Sequence, residues 1–291
     1  MEPTLEDGKL VLDTWTKSKN KKAAQRAQTV LRTMENSHSA KKTTVQPDLD
    51  CYRSVLITMS RSRSPATGAN IPKLFKSMEN YRIDPDTMCF DAAIETLKEC
   101  ARLFKDREKA IKNSKAAEAM LQRMEQERDR SNTTVIKPSG LTYTNVIRAL
   151  VVQNTKKSAE KADKLLNTMV TAYEGGDESM RPTRDSYVGV ISAYGNSGTR
   201  TNFINANEVL QRMLLDYTQN GNESAHPTIS SFHAVIWACL NTTTTSPENQ
   251  REALMLAIST MQQMKKTDGC HPSPRTYQLL LQCCTTLLPS G

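Results

Sequence analysis

The residues best equipped to ligate a metal or to act as nucleophiles are seven cysteines and four histidines in a chain of 291 residues. No two cysteines form a CxxC pair. Cys270-His271 could contribute two metal ligands, but no second pair lies at zinc-ligand spacing. Cys51 and Cys89 each stand directly before an aromatic, and Cys239, Cys283 and Cys284 lie in apolar runs, as small buried thiols of a reducing compartment do. Two histidines, His226 and His271, precede prolines at loop junctions. The zinc-deaminase signature is missing, as are Walker and glycine-rich phosphate loops. Four histidines give no Ser-His-Asp or Cys-His arrangement. The expectation is a protein that is not an enzyme, with no catalytic residues, metal, cofactor or small-molecule substrate.

Charge is the chain's more distinctive chemical property. The formal net charge is +8 and is spread unevenly. Residues 1–80 carry 14 basic against 8 acidic side chains, residues 81–160 carry 15 against 12, and residues 161–291 carry 10 against 11. A basic N-terminal half attracts polyanions, nucleic acid foremost, although a lysine-rich solvated surface has the same composition. No run of 18 apolar residues is present, so no membrane partner is expected. The opening MEPTLEDGKL reads as neither a signal nor a transit peptide.

The elements that would position these side chains repeat. A proline is followed five residues later by an aromatic six times: Pro47/Tyr52, Pro85/Phe90, Pro138/Tyr143, Pro182/Tyr187, Pro227/Phe232 and Pro272/Tyr277. Apolar residues then fall three, four and seven positions on, as Val146, Ile147 and Leu150 do after Tyr143, which is one face of a helix. A second helix closes on a methionine: Met34, Met78, Met124, Met169, Met213 and Met264. Seven residues before it stands Ala27, Ala117, Ala162, Ala206 or Ala257, small enough for two helices to approach, with Ile71 as the exception. Every aromatic and methionine of this register is expected in the core. The third and sixth units carry extra residues around Phe104–Asn113, helical in composition, and Asn241–Glu248, a threonine-rich loop. Polar stretches such as SHSAKKTTVQ, GGDESMR and QNGNESAH read as loops between units.

Neither helix of such a pair can bury its apolar face alone, so the units must stack. The predicted fold is all-α, an α-α superhelical solenoid of helix-turn-helix repeats. It forms one array over 1–291 with about six and a half hairpins starting near residues 3, 47, 85, 138, 182, 227 and 272.

This register resembles the pentatricopeptide repeat, most closely in KPSGLTYTNVIRAL and AEKADKLLNTM, and the likeness runs from about Pro3 to Leu288. The units are longer than the family's roughly 35 residues. The tetratricopeptide repeat, with other spacings and no methionine before the proline, fits less well. The resemblance implies a binder of single-stranded RNA in mitochondria or plastids, acting in RNA processing, stability or translation. It implies that each base is read by the residue after the aromatic together with the residue after the next proline. Here those pairs are Lys9 with Asp48, Arg53 with Asp86, Asp91 with Ser139, Thr144 with Thr183, Val188 with Thr228, and His233 with Ser273. Thr144 with Thr183 matches the family best, and Lys9 and Arg53 depart from it. Where the family packs an aliphatic on the base, only Met88 and Leu141 could serve. Lys17 and Arg61 match a place where the family touches phosphate, and Glu99 and Val152 end that row. No nuclease, deaminase or Small-MutS-related segment follows the repeats. Because the code positions match poorly, loose electrostatic RNA binding is expected, and a protein-interaction scaffold on the same helices stays open. The chain starts on a repeat helix and stops at LLPSG, so a fragment of a longer protein also stays open as a reading.

Overall fold

The structure is a computed structural model that describes residues 4–20, 22–40, 46–131, 136–242 and 246–288. Among these, 79% are helical and none lies in a strand. The chain divides into two compact units, residues 1–138 and 139–291. The first contains α1 (Leu5–Lys17), α2 (Ala23–Ser39), α3 (Leu49–Ser62), α4 (Ile71–Asn80), α5 (Thr87–Leu103) and α6 (Arg107–Ser131). The second contains α7 (Gly140–Leu150), α8 (Lys156–Glu174), α9 (Arg184–Gly195), α10 (Asn202–Thr218), α11 (Ile229–Leu240), α12 (Pro247–Lys266) and α13 (Pro274–Leu287). Each unit is a stack of helical hairpins in which consecutive first helices pack on one another, α1 on α3 on α5 and α7 on α9 on α11 on α13.

The proline sets where every first helix begins. The residue directly after it is the N-cap in each hairpin: Asp48, Asp86, Ser139, Thr183, Thr228 and Ser273. Thr4 does the same for α1, although Pro3 itself lies outside the described residues. Asp48 and Asp86 accept the backbone N–H of Cys51 and Cys89. In the other five the third helical residue returns the bond to the cap's own N–H, as Asp7 Oδ2 does to Thr4 at 2.8 Å and Thr276 Oγ1 to Ser273 at 3.0 Å. Such a cap is worth about 1 kcal/mol.

The core follows the register. Tyr52, Phe90, Tyr143, Tyr187 and Phe232 are buried, as are Met78, Met124, Met169, Met213 and Met264, and all five recurring alanines are fully inaccessible. Two anchors depart from the expectation. Tyr277 is 49% exposed, because α13 packs on α11 and α12 and no described helix covers its other side. Met34 is half-buried, beside Gly8 and Trp15 in a groove between α1 and α2.

Ile71 breaks the alanine pattern for a visible reason. It is the first residue of α4, preceded by a 3-10 turn over Pro65–Asn70. The close approach moves to Gly68 in that turn, where a Cβ would stand 2.2 Å from Asn113 Oδ1. The third unit absorbs its extra residues by lengthening both helices, to 17 and 25 residues. In the sixth, α12 has 20 residues, and part of the threonine run (243–245) lies outside the described residues. GGDESMR and QNGNESAH hold short 3-10 turns, Glu178–Met180 and Glu223–Ala225, that bury Met180 and Ala225. Residues 41–45 of SHSAKKTTVQ lie outside the described residues.

Candidate nucleic-acid interface

Within each unit the first helices pack side by side, and in unit 1 the residues after two of the aromatics meet the residues after the next prolines. Lys9 Nζ lies 2.6 Å from Asp48 Oδ2 and 3.6 Å from Asp50 Oδ2. Arg53 donates from Nη2 and Nε to Asp86 Oδ2, at 2.6 and 3.1 Å, and from Nη1 to Asp50 Oδ1 at 2.6 Å. Burial pushes the Asp86 carboxyl up, but the bonds from Cys89 and Arg53 together outweigh it and hold it below its ordinary value. Asp48 is lowered in the same way by Lys9 and Cys51. The structure thus brings together two of the expected pairs, Lys9 with Asp48 and Arg53 with Asp86, and joins the members of each to one another.

The remaining positions are also engaged. Ser139, Thr183, Thr228 and Ser273 are N-caps, half-buried at the helix starts. Thr144 is only 4% exposed, and its hydroxyl donates to the Gly140 carbonyl at 2.7 Å. Asp91 and Val188 are half-buried on α5 and α9. His233 Nε2 meets Thr276 Oγ1 at 2.8 Å, which ties α11 to the cap of α13. Burial first, then the charge of Arg275, lowers the His233 pKa.

Lys17 and Arg61 are exposed and come to one place. Arg61 Nη1 donates to the Thr16 carbonyl at 3.0 Å, beside Lys17 at the end of α1, and Lys17 pairs with Asp13 at 2.6 Å. At the equivalent place on α5, Glu99 binds Arg102 at 2.7 Å and Lys98 at 3.3 Å. Met88 and Leu141 point into solvent, 50% and 65% exposed.

Helices α1, α3 and α5 with their N-caps carry nine carboxylates against six cations, whereas α2, α4 and α6 carry seven against eleven. The basic excess of residues 1–138 therefore lies off the first helices, on the second helices and on the connecting segments, which hold nine cations against three carboxylates. Arg26, Arg32, Lys73, Lys76, Lys112 and Lys115 are exposed there with no ion pair among the described residues. Composition could not reveal this partition, although sorting the charges by helix could have.

The seven cysteines are free thiols, six of them buried. Cys270 points its Sγ at the Pro227 carbonyl, 3.5 Å away. Among the described residues no three His, Cys, Asp or Glu side chains gather as a metal site, and no helix is long and apolar enough to cross a membrane.

These features define a helical-hairpin repeat protein of the α-α solenoid class, with a pentatricopeptide-like proline–aromatic–methionine register. The crystal structure of the pentatricopeptide repeat protein PPR10 from maize overlaps 97% of this chain and 42% of its own, with a TM-score of 0.39 and 14% identity. PPR10 in complex with an 18-nt psaJ RNA element overlaps 97% and 46%, with a TM-score of 0.32 and 16% identity. The chain spans less than half the length of these proteins. No family model and no curated protein matches the sequence. The fold assignment rests on the hairpins themselves.

Proposed function

We propose that this chain binds single-stranded RNA through its first helices without catalysing a reaction, in the processing, stability or translation of mitochondrial or plastid transcripts. The observation that carries the reading is the exposure of Met88 and Leu141. Both stand where the resemblance packs an aliphatic on a base, and both are held half or more in water. Fully burying a side chain of this size gains about 1.5–3 kcal/mol, so covering the exposed part is worth roughly 1 kcal/mol each. Lys17 and Arg61, clustered at the ends of α1 and α3, supply phosphate contacts. The ion pairs at Lys9–Asp48 and Arg53–Asp86 offer no free donor set for a base, so contacts to backbone and base faces outweigh sequence readout.

The test is a mobility shift of mixed-sequence single-stranded RNA at about 50 and 200 mM salt. Binding at low salt is expected to weaken with a log–log slope of about 0.7 per phosphate neutralised. Replacing Lys17 and Arg61 together by Glu should weaken all sequences equally. No binding at low salt by the folded protein overturns the reading. It would favour a protein partner instead, for which unit 2 holds an apolar groove of about 1000 Å³ lined by Phe203, Pro247, Met255, Leu256, Leu287 and Leu288.

A further inference from the structure

Trp237 is 42% exposed on α11, a costly place for the largest apolar side chain. It is the only large apolar side chain exposed on α9 or α11. Tyr277 and Leu281 are exposed on the neighbouring α13, but the side chain hydrogen-bonded to the indole is polar, which suits a ligand the size of one ring. Those surroundings are specific. His233 and Trp237 lie four residues apart on one face of α11, and Asn241, four further on, is its C-cap. The indole Nε1 donates at 3.4 Å to Oδ1 of Asn196, the C-cap of α9, which fixes the ring's edge while the side chain stays 42% exposed. Asn241 Nδ2 leans on the Gly195 carbonyl at 3.5 Å, next to Asn196. Asn196 thus sits at the indole's edge and Asn241 against the backbone beside Asn196, with Asn196 Nδ2 and Asn241 Oδ1 left to bond elsewhere. Four residues before the indole, His233 is anchored on α13 beside Arg275, which is exposed and makes no ion pair among the described residues.

An aromatic face, amides at its edge and a nearby cation are the three things a nucleotide in a single strand needs: stacking, edge hydrogen bonds and a phosphate contact. We propose that Trp237 is a base-stacking platform for one nucleotide of single-stranded RNA, with Asn196 and Asn241 at the base edge and Arg275 at the phosphate. The proposal deepens the RNA-binding reading and rests on it. It also moves a principal contact out of the basic N-terminal half and into unit 2.

The chain's two tryptophans, Trp15 and Trp237, allow a direct test. In the full chain carrying Trp15→Phe, mixed-sequence single-stranded RNA should quench the remaining fluorescence, and polyphosphate, which has phosphates and no bases, should not. Stacking is worth about 1–3 kcal/mol per base, so Trp237→Ala should weaken RNA binding by roughly 5- to 150-fold by fluorescence anisotropy of a labelled strand. Trp237→Phe keeps an aromatic face and should stay within about threefold of the parent. Arg275→Ala should lower the salt slope by about 0.7. Helical circular dichroism checks that each variant is folded. Normal RNA affinity of a folded Trp237→Ala protein, or unchanged Trp237 fluorescence when RNA binds the Trp15→Phe chain, overturns the platform while RNA binding stands. Absence of any RNA binding overturns both.

Discussion

Tyr187→Phe removes one oxygen from a buried network and should be expensive for so small a change. Tyr187 is buried, and its hydroxyl donates to Asp216 Oδ2 at 3.0 Å. The same oxygen accepts from Asn222 Nδ2 at 2.7 Å, and that amide also donates to the Pro182 carbonyl at 2.9 Å. Asp216 is itself buried, so water does not replace a lost donor. A hydrogen bond to a charged group contributes about 1.5–3 kcal/mol. Tyr187→Ala removes the ring as well and should cost at least about 3–5 kcal/mol. Trp237 reports on unit 2 alone once Trp15 is replaced by Phe, because the two indoles lie in different units. With a urea m-value of about 2 kcal/mol/M, Tyr187→Phe should lower the midpoint by about 1 M. A midpoint within about 0.2 M of the parent at unchanged m would refute the Tyr187–Asp216 bond and the register that places it.

Other outcomes follow from single features. Helix α4 ends with Ile83 N–H on the Met78 carbonyl and Arg82 N–H on that of Glu79, with Arg82 at φ 56°. Helix α8 ends with the same pair of bonds around Gly176. Arg82→Gly should therefore stabilise unit 1 by about 1 kcal/mol in urea unfolding followed at Trp15 in a Trp237→Phe background, and an unchanged or lower midpoint would count against the left-handed cap. Burial pushes the Cys51 and Cys89 thiols up to about 12 and that of Cys283 to about 11, so native alkylation read by mass spectrometry should label Cys284 ahead of the six buried thiols. Asp48 and Asp86 titrate below 3.8 when folded, so the unfolded chain takes up protons first as pH falls. Unit 1 should thus lose their contribution only below about pH 4, and Asp86→Asn, which keeps a capping side chain, should flatten that loss. His233, lowered from 6.5, makes unit 2 weaken as pH falls below 6.5, and His233→Gln should remove that part of the slope.

The hairpins were legible because their signal is periodic and physical. A proline, a capping residue, an aromatic and a small residue recur because each does the same steric or hydrogen-bonding work in every unit. Ile71 and Gly68 show the limit. The pattern detected a missing alanine but not the 3-10 turn that moves the close approach to a glycine. The interface was less legible, because pairing decides what a charged residue can offer. Lys9 and Arg53 read as free cations until Asp48 and Asp86, 39 and 33 residues on, are placed against them. Trp237 lies ten residues after Pro227 and four after His233, a position that could have been noted, but its exposure comes only from the packing of α9 and α11.

The residue after each proline holds two offices at once. It begins a helix, and by resemblance it would also meet a base. Only side chains short enough to turn back and accept from the first turn do the first job well, which confines the position to serine, threonine, aspartate and asparagine. All seven units of this chain stay within that set. Any recognition alphabet written at this site is therefore limited by foldability before it is limited by affinity. Moving to a letter outside the set costs about 1 kcal/mol of stability per unit, so substitutions that change what the chain reads should accumulate first at the partner position after the aromatic, which lies inside a helix and caps none itself.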